Sequence, residues 1–171
     1  MNRFPNSLSI QSEGCRALQN LAVGTRDNRV REGIASAGGI EAIVTAMNGF
    51  PNDASIQCNA TGALQNLACN SEDIKCRIAR CGGIHVLISA MQNHPDRPLI
   101  QVWACGTLAY LAASPDERIK KAIVLLGGLV VIANAAQLNY GDKVLTCMAG
   151  KVMSVLLRST EQDCVPRPTV H

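Results

Sequence analysis

One six-residue phrase recurs three times along this chain. Ala17-Leu18-Gln19-Asn20-Leu21-Ala22 returns 46 residues later as Ala63-Leu64-Gln65-Asn66-Leu67-Ala68, and 44 further on as Thr107-Leu108-Ala109-Tyr110-Leu111-Ala112. A second mark, Gly38-Gly39-Ile40, Gly82-Gly83-Ile84 and Gly127-Gly128-Leu129, keeps nearly the same beat, with spacings of 44 and 45. Self-similarity at about 40–47 residues points to an α-solenoid, in which a unit cannot bury its apolar face alone and stacks on its neighbours. The apolar fraction is 47% but aromatic residues make up only 3%, which suits helices packed through Ala, Leu and Ile and predicts an all-α chain.

Each unit reads as three helices. The first is announced by polar capping residues, Thr25 and Asp27, Asn70 and Ser71, then Ser114 with Pro115 at the first helical position. Acidic residues at Asp27, Glu72/Asp73 and Asp116/Glu117 complement the positive end of the helix dipole. Val30/Ile34, Ile74/Ile78 and Ile119/Ile123 supply its apolar face. The Gly-Gly pair then predicts a sharp corner, because glycine accepts the positive φ of a tight helix-to-helix turn. A short second helix starts at Ile40, Ile84 or Leu129 and ends near Asn48, Asn93 or Leu138. The third helix is the longest, over about 55–69, 98–113 and 142–158. Its expected buried stripe is Ile56, Ala60, Ala63, Leu64 and Leu67, matched by Ile100, Ala104, Thr107, Leu108 and Leu111.

A short helix, a Gly-Gly corner, a second helix and a long third helix closing on Ala-Leu-x-Asn-Leu-Ala resemble the armadillo-repeat family over about residues 7–158. The resemblance implies a right-handed α-solenoid of armadillo-like three-helix repeats, in one domain over 1–158. A half repeat covers 7–23 and full repeats cover 25–69, 71–113 and 115–158, with a disordered tail at 159–171. Met1-Asn2-Arg3-Phe4-Pro5-Asn6 aligns with Met47-Asn48-Gly49-Phe50-Pro51-Asn52, so the first unit holds only its third helix. A piece of a longer array is the expectation there, and a homodimer through the uncapped N-terminal end is the competing one.

Function enters through the same resemblance. Armadillo third helices line a concave groove for extended peptides, and an asparagine in each hydrogen-bonds the peptide backbone. Asn20 and Asn66 stand at that place, followed by Tyr110 and Ser154. Helical spacing puts Arg16 and Glu13, Gly62 and Asn59, Gly106 and Trp103, and Gly150 and Cys147 on the same face. The partner-binding set is therefore Glu13, Arg16, Asn20, Asn59, Asn66, Trp103 and Tyr110, with the aromatic pair as an anchor. In importin-α-like arrays a tryptophan precedes the asparagine by four residues; here Arg16, Gly62 and Gly106 replace it, so a cage for basic cargo is not expected. Arg31, Lys75 and Lys120 share one place on the first helices; a solvated charge row accounts for them first, and a basic ridge for an acidic protein or anionic membrane surface is the alternative.

The remaining features exclude more than they assign. A formal charge of +3 falls short of a nucleic-acid footprint. Eight cysteines at irregular spacing, with no Cys-x-x-Cys, read as reduced packing residues, Cys76 and Cys81 being the more accessible. His85, His94 and His171 have no spaced metal partner or nucleophile, and the carboxylates sit mostly in helix first turns, so neither catalysis, cofactor, metal nor small-molecule substrate is expected. No apolar run reaches the length of a membrane span and no leader is visible, so the default setting is cytoplasmic or nuclear.

Overall fold

The structure, a computed structural model, describes Met1, residues 3–23 and residues 28–163, with side chains through Arg158. Thr25 and Asp27 lie outside those residues. Among the described residues the chain forms ten helices and no strand. They are α1 (Leu8–Ala22), α2 (Arg29–Ser36), α3 (Gly39–Gly49), α4 (Ala54–Ala68), α5 (Glu72–Arg80), α6 (Gly83–Asn93), α7 (Pro98–Ala112), α8 (Glu117–Leu125), α9 (Gly128–Leu138) and α10 (Lys143–Asp163). The fold is an α-solenoid: α1 packs on α4, α4 on α7 and α7 on α10, while α3, α6 and α9 form a second row.

Both glycines of each corner are needed, for different reasons. Gly38, Gly82 and Gly127 adopt φ of 83°, 87° and 81°, the left-handed region that a side chain disfavours. At Gly39, Gly83 and Gly128 a Cβ would stand 2.8, 2.6 and 2.7 Å from the carbonyl oxygens of Ile34, Ile78 and Ile123. The second glycine thus lets the new helix start against the last turn of the old one.

Capping follows the polar signals with one shift. Ser71 Oγ accepts from Ile74 N, and Asp53 Oδ1 accepts from Ile56 N at 2.8 Å. Pro115 does not open α8. Asp116 Oδ1 caps it by accepting from Arg118 N at 3.0 Å, and Ser114 Oγ accepts from Asp116 N two residues earlier. The carboxylate is the stronger acceptor for orphan N–H groups, so the helix begins two residues later than Ser114 alone predicts.

The third-helix stripe is buried as expected, including Ile56, Ala60, Leu64 and Leu67 on α4 and Ile100, Ala104, Leu108 and Leu111 on α7. Ile74/Ile78 and Ile119/Ile123 are buried too. Val30 and Ile34 are not. On α2 the buried residues are Arg31 and Ala35 instead. Cys15 and Cys105 are fully buried, and burial pushes their thiols up to about 12. Cys76 and Cys81 are only half-buried, but the exposed thiol among the described residues is Cys147. At the other end α10 runs to Asp163, past the boundary expected at residue 158. Ser159 to Asp163 contains neither glycine nor proline, and Pro166 is the first helix breaker.

A buried polar clamp repeats with the fold. Gln57 Nε2 donates to Met47 O and Phe50 O, both at 2.9 Å, and Gln101 Nε2 donates to Met91 O at 2.9 Å and His94 O at 2.8 Å. Gln11 does the same to Met1 O and Phe4 O. One carboxamide therefore satisfies two carbonyls at the end of the preceding helix or turn and fixes the third helix against it. The imidazole Nε2 of buried His94 meets Pro51 O at 2.9 Å, linking successive turns. Replacing Gln101 by Leu keeps the volume but strands two buried acceptors. Gln101→Leu is expected to cost about 1–3 kcal/mol per stranded carbonyl, read as a lower urea midpoint by circular dichroism; an unchanged midpoint would refute the clamp.

Candidate functional site

Four long helices, α1, α4, α7 and α10, lie side by side, and close approach between them depends on glycine. A Cβ on Gly62 of α4 would meet the Gln19 amide from α1 and would lie 2.9 Å from Trp103 Cε3 of α7. A Cβ on Gly106 of α7 would meet the Gln65 amide from α4 and would lie 3.3 Å from Met148 Sδ of α10. Gly62 and Gly106 are thus buried beneath neighbouring side chains rather than open groove floor.

This arrangement corrects the register of the last helix. The row expected at Cys147, Gly150 and Ser154 is one residue early. Leu145, Ala149, Val152 and Leu156 are the buried residues of α10, each 45 after Ile100, Ala104, Thr107 and Leu111. The counterparts of Trp103, Gly106 and Tyr110 are therefore Met148, Lys151 and Val155, and Met148 covers Gly106 as Trp103 covers Gly62. The cause is the connection between α7 and α8, residues 113–116, which is one residue longer than residues 69–71 between α4 and α5.

On this face the two halves differ. On α1, exposed Arg16 pairs with Glu13, and Asn20 is exposed. Asn59 Nδ2 donates to Ser12 O at 3.5 Å and Asn66 Nδ2 donates to Gln19 O at 3.2 Å, so both amides are engaged between α4 and α1, leaving Oδ1 as the acceptor. Ser12 and Ser55 hydroxyls meet at 3.1 Å across the same two helices. On α7 the row turns apolar: Leu99 is 56% exposed, Trp103 half-buried and Tyr110 37% exposed. Val144 of α10, the counterpart of Leu99, is 55% exposed. Between the first turns of α4 and α7 lies a cavity of about 480 Å3, lined by Ser55, Cys58, Asn59, Arg97 and Leu99 among others. Sequence reasoning missed Arg97 and Leu99, although Leu99 stands four residues before Trp103 on the same helical row.

Tyr110 lies beside Cys69, at the end of α4. Burial first, and then the neighbouring thiol, push its phenol above the ordinary value, while the Arg31 charge pulls the other way. Arg31 itself is 7% exposed, and its Nη1 donates to Asn66 O and Cys69 O, both at 3.3 Å. These are carbonyls at the negative end of α4, where a cation is favoured. Lys75 is 8% exposed and reaches Glu72 at 2.5 Å; the Lys120 side chain is also largely buried and reaches Glu117 at 2.5 Å. Arg31, Lys75 and Lys120 therefore do not form an outward basic ridge. Sequence position placed them together correctly, but on the side of the first helix that faces into the protein.

Among the described residues no group of three or more His, Cys, Asp or Glu is placed to hold a metal ion, and no single helix is long and apolar enough to cross a membrane. Trp103 is the chain's one tryptophan, so its emission reports this site directly. Gly62→Ala is expected to push the indole and the Gln19 amide outward, shift tryptophan emission to longer wavelength and cost about 1–3 kcal/mol by overpacking. An unshifted spectrum would mean that the ring does not rest on Gly62.

Comparison with known proteins agrees with this build. The family model described as Armadillo/beta-catenin-like repeat matches residues 27–69, which span α2, α3 and α4. No curated protein gives a match. Among solved structures the chain is similar to the crystal structure of an engineered protein, a target of the Northeast Structural Genomics Consortium, with a TM-score of 0.75 and 27% identity over 90% of this chain. The chain spans 58% of the length of that protein. The repeat matched at α2–α4 shares its Gly-Gly corner with both units that follow and its glutamine clamp with the α5–α7 unit, so the chain is an α-solenoid similar to armadillo-repeat arrays.

Proposed function

We propose that this chain is a non-enzymatic scaffold that holds an extended segment of a partner protein along the face formed by α1, α4, α7 and α10. Armadillo repeats generally serve as protein-interaction scaffolds, which supports the class. The observation that carries the finer reading is the α7 row, where Leu99, Trp103 and Tyr110 remain open to solvent at places filled by Ser55, Asn59 and Asn66 on α4. An aromatic pair of this kind supplies large contact area with a polar handle at each ring. The acceptor oxygens of Asn59 and Asn66 are suited to backbone N–H groups of an extended chain. A reducing cytoplasmic or nuclear setting suits the buried thiols of Cys15 and Cys105.

Affinity capture with the wild type beside Trp103→Ala/Tyr110→Ala tests this reading. Hot-spot truncation costs about 2 kcal/mol or more, so partners are expected to be lost from the variant while its melting temperature stays close to that of the wild type. Equal recovery by both proteins would rule the aromatic row out, and a collapse in melting temperature would reassign Trp103 to packing.

A second reading rests on the apolar residues exposed in and around α1, Phe4, Leu8, Leu21 and Val23, and on a cleft of about 740 Å3 lined by Phe4, Leu18 and Ile34 among others. Such a surface suits association of two copies. Light scattering over a concentration series is then expected to show a dimer that Leu21→Asp converts to monomer; a monomer at every concentration would dismiss it.

A further inference from the structure

We propose that the segment bound on this face carries acidic residues beside a bulky apolar one, and that the apolar residue is anchored between α4 and α7. The inference rests on the groove reading above and adds the chemistry of its occupant. The cavity between the first turns of these helices has a volume of about 480 Å3, within the roughly 300–1,000 Å3 range of binding pockets. Its open edge is Leu99, and Val144 continues the apolar strip on α10 with half-buried Trp103 and Met148 below them. At the corresponding places α4 has Ser55 and Asn59 and α1 has Ser9 and Glu13, so the apolar character belongs to one half of the array. A contiguous strip of this kind marks an interaction surface, whereas scattered exposed leucines would not.

Charge selects the flanks. The Arg97 side chain on the cavity rim is 60% exposed and makes only a loose ion pair with its exposed neighbour Asp96, at 3.8 Å, which leaves its N–H donors open to an incoming carboxylate. Lys151, brought into the row by the corrected register, is exposed on α10. The acid of this face on α1, Glu13, is already paired with Arg16. The apolar half therefore presents cations, and a carboxylate next to the anchoring residue gains a charge-assisted contact where a basic residue is repelled.

A library of short random peptides displayed on phage serves as the probe. It is selected on the full chain as wild type, Arg97→Glu, Leu99→Asp and Trp103→Ala/Tyr110→Ala, each checked by thermal melt. The wild type is expected to enrich Leu, Ile or Phe flanked by Asp or Glu. A resynthesised peptide is expected to lose roughly tenfold in affinity with Arg97→Glu or Leu99→Asp, and to weaken as salt rises. Basic or uncharged consensus peptides, an unchanged affinity in both single variants, or no enrichment at all would each overturn the proposal. If peptides that fail these criteria still depend on Trp103 and Tyr110, the groove reading survives and only its chemistry is wrong. If they bind the double variant equally well, both fall.

Discussion

The corner between first and second helices is the constraint on which the rest of the array depends. It holds α8 and α9 at 67°, with two residues between them. A left-handed first glycine turns the chain, and a second glycine lets the new helix begin within contact of an isoleucine carbonyl one turn back. Neither role tolerates a side chain, because one is a backbone restriction and the other a steric one. With that glycine corner repeated three times, the third helices are delivered side by side. Only then can Gly62 and Gly106 lie under residues from both neighbours.

Apolar burial alone would leave the stack free to slide, since alanine, leucine and isoleucine surfaces are weakly directional. Buried polar groups remove that freedom. Each of Gln11, Gln57 and Gln101 matches two carbonyls at a defined distance, so shifting a third helix by one residue would strand them. Thr146 stands at the corresponding place in the last unit, and its hydroxyl donates to Asp142 O within its own first turn. The clamp is therefore absent where the register changes by one residue. Glu41 adds a bond between units: Arg77 Nε donates to its Oε1 at 2.7 Å and holds the carboxyl below its usual range.

Much of this fold was legible because it is periodic. The phrase around Asn20 and Asn66 and the Gly-Gly pairs gave unit length, helix order and corner conformation directly. Two other features were not legible, for physical reasons. A single inserted residue between α7 and α8 moves every later side chain by about 100° around its helix, and the phrase itself has no clear copy in α10 to expose the shift. The Gly82 to Gly127 spacing of 45 was the available signal. The basic first-helix positions were misread because charge is a poor guide to burial when helix ends are nearby. Arg31 goes inward because the last carbonyls of α4 offer it acceptors there. The candidate site was legible in its aromatic residues but not in Arg97 and Leu99, which lie in a first turn outside the repeated phrase.

A repeat array built from identical units would present one chemistry along its whole face, and its binding would depend on how many units a partner spans. Here the same backbone carries two chemistries. On α1 and α4 the face is polar, and the amides of Asn59 and Asn66 are engaged between the two helices, which ties recognition there to structure. On α7 and α10 the corresponding positions are Leu99, Trp103, Val144 and Met148, and their burial is incomplete. Because Trp103 fills the space above Gly62, the backbone of α4 positions an aromatic ring supplied by the next unit. Glycine in this row does more than permit close packing. It allows one helix to serve as the seat for a side chain of its neighbour, so the recognition surface is a property of adjacent units together and not of any repeat taken singly.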